Sequence, residues 1–237
     1  MGRGRFDAAR GVGVDIDPAK VAIAQSRGVE AVLGDARDLP AHCGVRFVSM
    51  VDFLEHLPDL ETVAAVIGSA ARAAEDFLFI SHPSFEGEGY LETLGLRQYW
   101  WHWHGHTVHP KVSDYCEIFD RLGLHQYMVR YETRVDDSSH RSVLPVEAPI
   151  NQGNFDPDRH PPKPEVQFEM PLWRAQSIFV ALRAFEPEEW RAITDSGGAA
   201  PGRAPPPAPR GPPQGAATQS TQGTARGRRR RVTQETV

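Results

Sequence analysis

Two aspartates that close short β-branched runs are the residues best placed to do chemistry. Asp15 ends Gly11-Val12-Gly13-Val14-Asp15 and is followed by Ile16-Asp17-Pro18, while Asp35 follows the run 29–33 in Gly34-Asp35-Ala36. In doubly wound sheets, ligands sit beyond the carboxyl ends of the strands. A carboxylate there can accept both hydroxyls of a ribose, and a second one on the next strand can take the amino group of an adenine whose ring face Ile16 covers. Acids at two adjacent strand ends therefore describe a nucleoside pocket. A second concentration of reactive side chains is YWWHWHGHTVHP at 99–110, where His102, His104, His106 and His109 stand among Trp100, Trp101 and Trp103. If this segment is extended, His102, His104 and His106 point to one face and could ligate a metal. No acid falls among them.

The elements that must hold these residues alternate between β-branched runs and helical stretches. Residues 11–15 read as a strand, and 18–26 as a helix opened by Pro18 with Val21, Ile23 and Ala24 turned inward. Strands follow at 29–33 and 45–51, the latter almost continuously apolar, as a strand buried on both faces should be. Helical spacing of Val63, Val66, Ile67 and Ala70 predicts a helix over 59–74, and FLFI at 77–80 a strand stopped by Pro83. A helix runs from Lys111 through Arg121 and ends at Gly123, a strand covers 124–135, and the last strand covers 173–185. The proline-rich stretch 136–164 has no period and reads as a long excursion before that last strand. Glu55 and His56 read as fixing a loop or capping the helix that follows.

This alternation predicts a doubly wound, mostly parallel α/β sheet in one domain over 1–195. The tail 196–237 is rich in proline, glycine and arginine with almost no large apolar residue, a composition that predicts disorder. From Gly197 onward there are seven arginines and one acid, which leaves 19 basic against 30 acidic residues before it, a net of −11. An acidic body lacks the lysine and arginine surplus needed to displace counterions from a duplex, so nucleic acid is not the expected partner. Two cysteines, Cys43 and Cys116, form no recurrent spacing and support neither a disulfide framework nor a thiolate metal site. The charged start MGRGRFDAAR has no apolar segment of the secretory kind and no run reaches membrane-spanning length, so a cytoplasmic location is expected.

In VGVDIDP, LGDARDLP, VSMVDFLEHLPD and FLFISHPSF, taken in this order, the chain resembles the class I S-adenosylmethionine-dependent methyltransferases over residues 2–185. The resemblance implies a Rossmann-like methyltransferase fold with S-adenosyl-L-methionine as cofactor and a small or medium-sized molecule as methyl acceptor. It places Asp15 on the ribose, Ile16 on the adenine face, Asp35 with Ala36 at the adenine edge, and Met50, Val51 and Asp52 beside the methionine moiety. It also places a lid and acceptor wall at the histidine and tryptophan segment, where the ordinary titration of an imidazole near neutral pH makes His106 the candidate general base and His82 a second one. No metal enters this site list.

The chain departs from the family at its start. The family's first strand leads into a glycine-rich turn, but here only Met1-Gly2-Arg3-Gly4-Arg5-Phe6 precedes the strand ending at Asp15. That strand normally lies between the second and the fourth. Its removal opens a gap of about two strand spacings, roughly 9 to 10 Å, which backbone hydrogen bonds cannot cross. A start further upstream, with Gly2 and Gly4 as the remnant of the cofactor-binding turn, is the expectation; a closed-up sheet or a cofactor-free relative acting as a binding or scaffold domain are the alternatives. A metal-dependent hydrolase using His102, His104 and His106 is the other enzymatic alternative, whereas the Gly-x-Gly-x-x-Gly turn of nicotinamide-binding folds is absent.

Overall fold

The computed structural model describes residues 10–195. Gly2, Gly4 and the tail from Ser196 lie outside the described residues. The amino-terminal elements are β1 (Gly13–Asp15), α1 (Pro18–Ser26) and β2 (Ala31–Leu33), with β1 and β2 paired in parallel as a sheet of their own. Asp17 starts α1 by accepting the Ala19 amide at 2.8 Å, and Pro18 occupies the first turn, where no amide hydrogen is needed.

The main sheet has four strands. They are β3 (Val45–Val51), β4 (Ala74–Pro83), β8 (Gln167–Ala181) and β6 (Tyr127–Asp137), in the order β3-β4-β8-β6. β3 and β4 run parallel, joined by α2 (Leu60–Ala73), while β8 is antiparallel to both β4 and β6. Helix α2 starts at Asp59, whose carboxylate accepts the Thr62 amide at 2.7 Å, and it buries Val63, Val66, Ile67 and Ala70. Asp59 is thus the cap of α2, the role the sequence suggests for Glu55 and His56. The alternation along β4 divides the core. Leu78 and Ile80 face a cluster with α2 and with Tyr115, Ile118 and Phe119 of α4 (Val112–Leu122), whereas Phe77 and Phe79 face Phe179 and the partly buried Phe185 and Trp190. Trp190 lies on α5 (Pro187–Asp195), so helices cover both faces.

No hydrogen-bonded ladder joins β1 to β3 among the described residues. The pair β1–β2 and the four-stranded sheet are thus separate sheets. The smaller piece is tied on from the side, where the Leu39 amide donates to Ser69 Oγ and the His42 amide to the Arg72 carbonyl of α2, both at 2.9 Å. It buries only Val21 and Ala31, and among the described residues seven of the twelve large apolar side chains that stay exposed lie between Val12 and Leu33. A strand pair with one neighbour lacks the second face against which these side chains would pack.

Residues 136–164 are more ordered than their composition suggests. Val143–Pro145 (β7) pairs antiparallel with Leu96–Gln98 (β5), all six residues are buried, and α3 (Glu88–Thr93) precedes β5. The buried Arg97 guanidinium donates to the Ala148 and Pro149 carbonyls at 2.9 Å and fixes the excursion against β5. No helix among the described residues is long and apolar enough to cross a membrane.

Candidate functional site

β1 and β2 end side by side, tied by the Gly34 amide donating to the Asp15 carbonyl at 3.0 Å. The half-buried Asp15 uses Oδ1 to accept the Asp17 amide at 2.9 Å, and Ile16 leaves 68% of its surface exposed just beyond. Asp35 caps the 3-10 turn Ala36–Asp38 through the Arg37 amide at 2.8 Å, while the Arg37 guanidinium holds both its oxygens at 2.6 to 3.1 Å. These bonds from Arg37 hold the Asp35 carboxyl below its usual range. Three N–H groups of Arg37 already bond this carboxylate, so a nucleobase amino group competes with the guanidinium for it. Displacing the guanidinium costs little, because a solvent-exposed ion pair is weak.

At the end of β3 the three expected residues separate. Met50 is buried in the core and Val51 packs on the phenylalanine cluster, so only Asp52 offers its side chain to solvent. Asp52 has φ of +46°, a left-handed conformation that is strained for a residue with a Cβ, and its amide donates to the Ser81 carbonyl at 2.8 Å. The bend turns the chain out of the sheet into the 3-10 turn Leu54–His56.

That turn buries Glu55 completely. Burial pushes its carboxyl up to about 7, against the pull of its own amide, and the Asp52 charge adds to the rise. No donor reaches hydrogen-bonding geometry with either carboxylate oxygen. The Glu55 carbonyl accepts the Thr107 and Val108 amides at 2.9 and 3.3 Å, and Thr107 Oγ1 donates to the Leu57 carbonyl at 2.6 Å, which pins the histidine segment against the turn. Beside this lies a buried chain from β4 to α4. His82 donates from Nδ1 to the Pro83 carbonyl at 2.7 Å, and its Nε2 accepts the Tyr115 hydroxyl at 2.7 Å. Burial pushes His82 down to about 4, with the neighbouring His106 contributing, so the ring is neutral at physiological pH.

The histidine and tryptophan segment is not extended. Successive turns, closed by Trp101 to Gln98, Trp103 to Trp100 and His106 to Trp103, carry the chain from β5 towards α4. The cause is the burial of Trp100 and Trp101, whose indoles both donate to the Ser84 carbonyl at 2.8 and 3.2 Å. His102 and His104 therefore stay exposed and do not join His106 in a ligand set, which removes the geometric basis for the hydrolase alternative. Among the described residues, the group close enough to hold a cation is instead Glu55, His56 and His106. His106 is half-buried, and burial lowers its pKa. An open depression of about 720 Å³ runs beside it, with Trp101, His102, Trp103, His109 and Ile150 in its walls. Asp15 and Asp35 do not line this depression. The sequence contains the Glu55–His56 pair in plain view, but nothing local in LEHLPD shows that a loop 50 residues later buries one and contacts the other.

No family model matches the chain, and no curated protein matches it. Solved structures do. A SAM-dependent methyltransferase from Archaeoglobus fulgidus is similar at 15% identity over 72% of this chain and 75% of its own, with a TM-score of 0.46. A SAM-dependent methyltransferase from Thermotoga maritima is similar at 17% identity over 73% of this chain and 72% of its own, with a TM-score of 0.44. Magnesium protoporphyrin IX methyltransferase from Synechocystis, solved with bound SAH, is similar at 16% identity over 74% of this chain and 65% of its own, with a TM-score of 0.42.

Proposed function

We propose that the chain binds S-adenosylmethionine and transfers its methyl group to a small or medium-sized acceptor. The observation that carries this reading is the pair of parallel strand ends, joined through Gly34 and Asp15, that set Asp15 and Asp35 at neighbouring positions. Asp15 would take the ribose hydroxyls, Ile16 one face of the adenine, and Asp35 with Ala36 its edge once Arg37 swings out. The bend at Asp52 would border the methionine end. The acceptor would enter by the depression beside His106. Attack on the methyl carbon breaks its bond to sulfur, which keeps the electron pair and leaves as a neutral thioether. Such a displacement depends on alignment more than on a strong acid or base, which is why the acceptor leaves so little trace in the residues.

Calorimetric titration with S-adenosylmethionine tests the assignment. Asp15→Ala and Asp35→Ala should each weaken binding by about 10- to 100-fold, as expected when a hydrogen bond to a charged group is lost. Arg37→Ala frees the Asp35 carboxylate and should leave binding unchanged or tighten it up to about fivefold. Equal affinity in the Asp15→Ala and parent chains rejects the reading.

A further inference from the structure

We propose that Glu55, His56 and His106 form a binding site for one divalent transition-metal ion, with zinc or iron(II) as the fitting class. One ligand atom from each of the three lies within 4.8 Å of the others. Glu55 supplies the independent sign of a missing partner. It is fully buried, and both its oxygens lack a donor. A carboxylate withdrawn from water without a partner is costly, and a cation removes that cost.

The two imidazoles are prepared for the same role. His56 Nδ1 lies 2.6 Å from the Gly105 carbonyl and His106 Nδ1 lies 2.8 Å from the Trp100 carbonyl. A carbonyl oxygen can only accept, so each Nδ1 carries the proton and each Nε2 keeps a lone pair for a ligand. Backbone carbonyls that fix the far nitrogen in this way are the usual support of metal-bound histidines. The rings stand 4.9 Å apart at 67°. Gly105 permits the approach, since a Cβ there would lie 3.1 Å from His56 Nδ1.

Two nitrogens and one carboxylate oxygen suit zinc and iron(II), whereas magnesium and calcium prefer oxygen throughout. Ligand atoms around tetrahedral zinc sit about 3.3 Å apart, as follows from bonds near 2.0 to 2.1 Å. The set therefore closes by roughly 1 to 1.5 Å on binding. The exposed His56 and half-buried His106 have room to make that movement. Three protein ligands leave a coordination position open, and the depression beside His106 gives it access to solvent. A lone pair committed to a cation cannot accept a proton, so this site assigns His106 to holding the ion and not to the general-base role. Where the methyl-transfer reading holds, on which this last step rests, the open position takes an oxygen atom of the acceptor.

The test uses the full chain, stripped with a chelator and free of S-adenosylmethionine, so that its failure leaves the methyl-transfer reading standing and the reverse. Zinc is titrated in competition with a chromophoric chelator, and cobalt(II) is followed by its visible absorption. Expected is one ion per chain, a cobalt spectrum of four- or five-coordinate type, and a loss of affinity of at least about tenfold in His106→Ala and in Glu55→Gln. His56→Ala, at an exposed position, serves if either of those fails to fold. His104→Ala, outside the cluster, should bind as the parent does. Absence of binding, or a loss in His104→Ala equal to that in His56→Ala, overturns the site.

Discussion

Replacing Val21 with alanine should loosen the amino-terminal strand pair without weakening the rest of the molecule. Val21 and Ala31 are the only buried apolar side chains between β1 and β2, and no ladder ties β1 to β3. This piece therefore opens on its own, at the low end of the range of local opening energies. Val21→Ala removes two buried carbon groups at about 0.8 kcal/mol each, so opening becomes easier by roughly 1.6 kcal/mol. That is about 15-fold in the opening equilibrium. Native-state hydrogen exchange reads it directly. The amides of Gly13 and Gly34, which bond to Glu30 and Asp15, should exchange about 15-fold faster. Those of Leu78, Ile80, Ile178 and Val180 should not change, nor should the urea midpoint. Because Asp15 and Asp35 both ride on this piece, S-adenosylmethionine at about 100 times its dissociation constant should slow the same amides by roughly 100-fold. A fall of the urea midpoint matching the full 1.6 kcal/mol, with exchange in β4 and β8 accelerated equally, would show one cooperative unit and refute the division.

Four further outcomes follow from the geometry. Tyr115→Phe leaves His82 Nε2 with only Gln176 Nε2 at 3.4 Å, so the urea midpoint should drop by an amount equivalent to about 1 to 3 kcal/mol at constant slope; no drop would mean the buried chain contributes nothing. Gly87 has φ of +77° and a Cβ there would meet Leu172 Cδ2 at 2.3 Å, so Gly87→Ala should cost about 2 to 4 kcal/mol. Gly89 in α3 has open space and an ordinary φ, so Gly89→Ala should gain up to about 1 kcal/mol, and thermal melts of the two variants moving the same way would contradict both. Burial works to raise the Asp76 carboxyl, but hydrogen bonds from Arg183 and Arg46, each at 2.6 Å, outweigh it and hold the pKa below its usual value. Its stabilisation is then complete above the unfolded carboxylate range near pH 4 and is lost as pH falls through the lower folded value. Asp76→Asn should accordingly cost about 1 to 2 kcal/mol at pH 7 and progressively less in urea titrations towards pH 2, whereas a constant difference would exclude the ion pairs as its cause.

What could be read in the sequence was set by interactions within a few residues. The helix at 18–26 and the strand at 45–51 have the bounds read from it, because Asp17 and Pro18 start the one and a mostly apolar run, interrupted only by Arg46 and Ser49, defines the other. Contacts made at long range were not legible. β4 extends beyond FLFI at its carboxyl end because β8, a hundred residues later, supplies a ladder from Phe77 to Pro83, and at its amino end because Ala74 pairs with Val45 of β3. β7 is three residues without a period, and it exists because β5 and the Arg97 guanidinium wait for it some 45 residues upstream. The alternate spacing of His102, His104 and His106 would put them on one face only of an extended segment, yet two tryptophans sharing one carbonyl at Ser84 wind it into turns. The same winding brings His106 and the Gly105 carbonyl to His56, and the Thr107 and Val108 amides to the Glu55 carbonyl. Loss of the extended geometry thus removed one ligand set and assembled another, with the buried Glu55 carboxylate and the exposed His56 in place of His102 and His104.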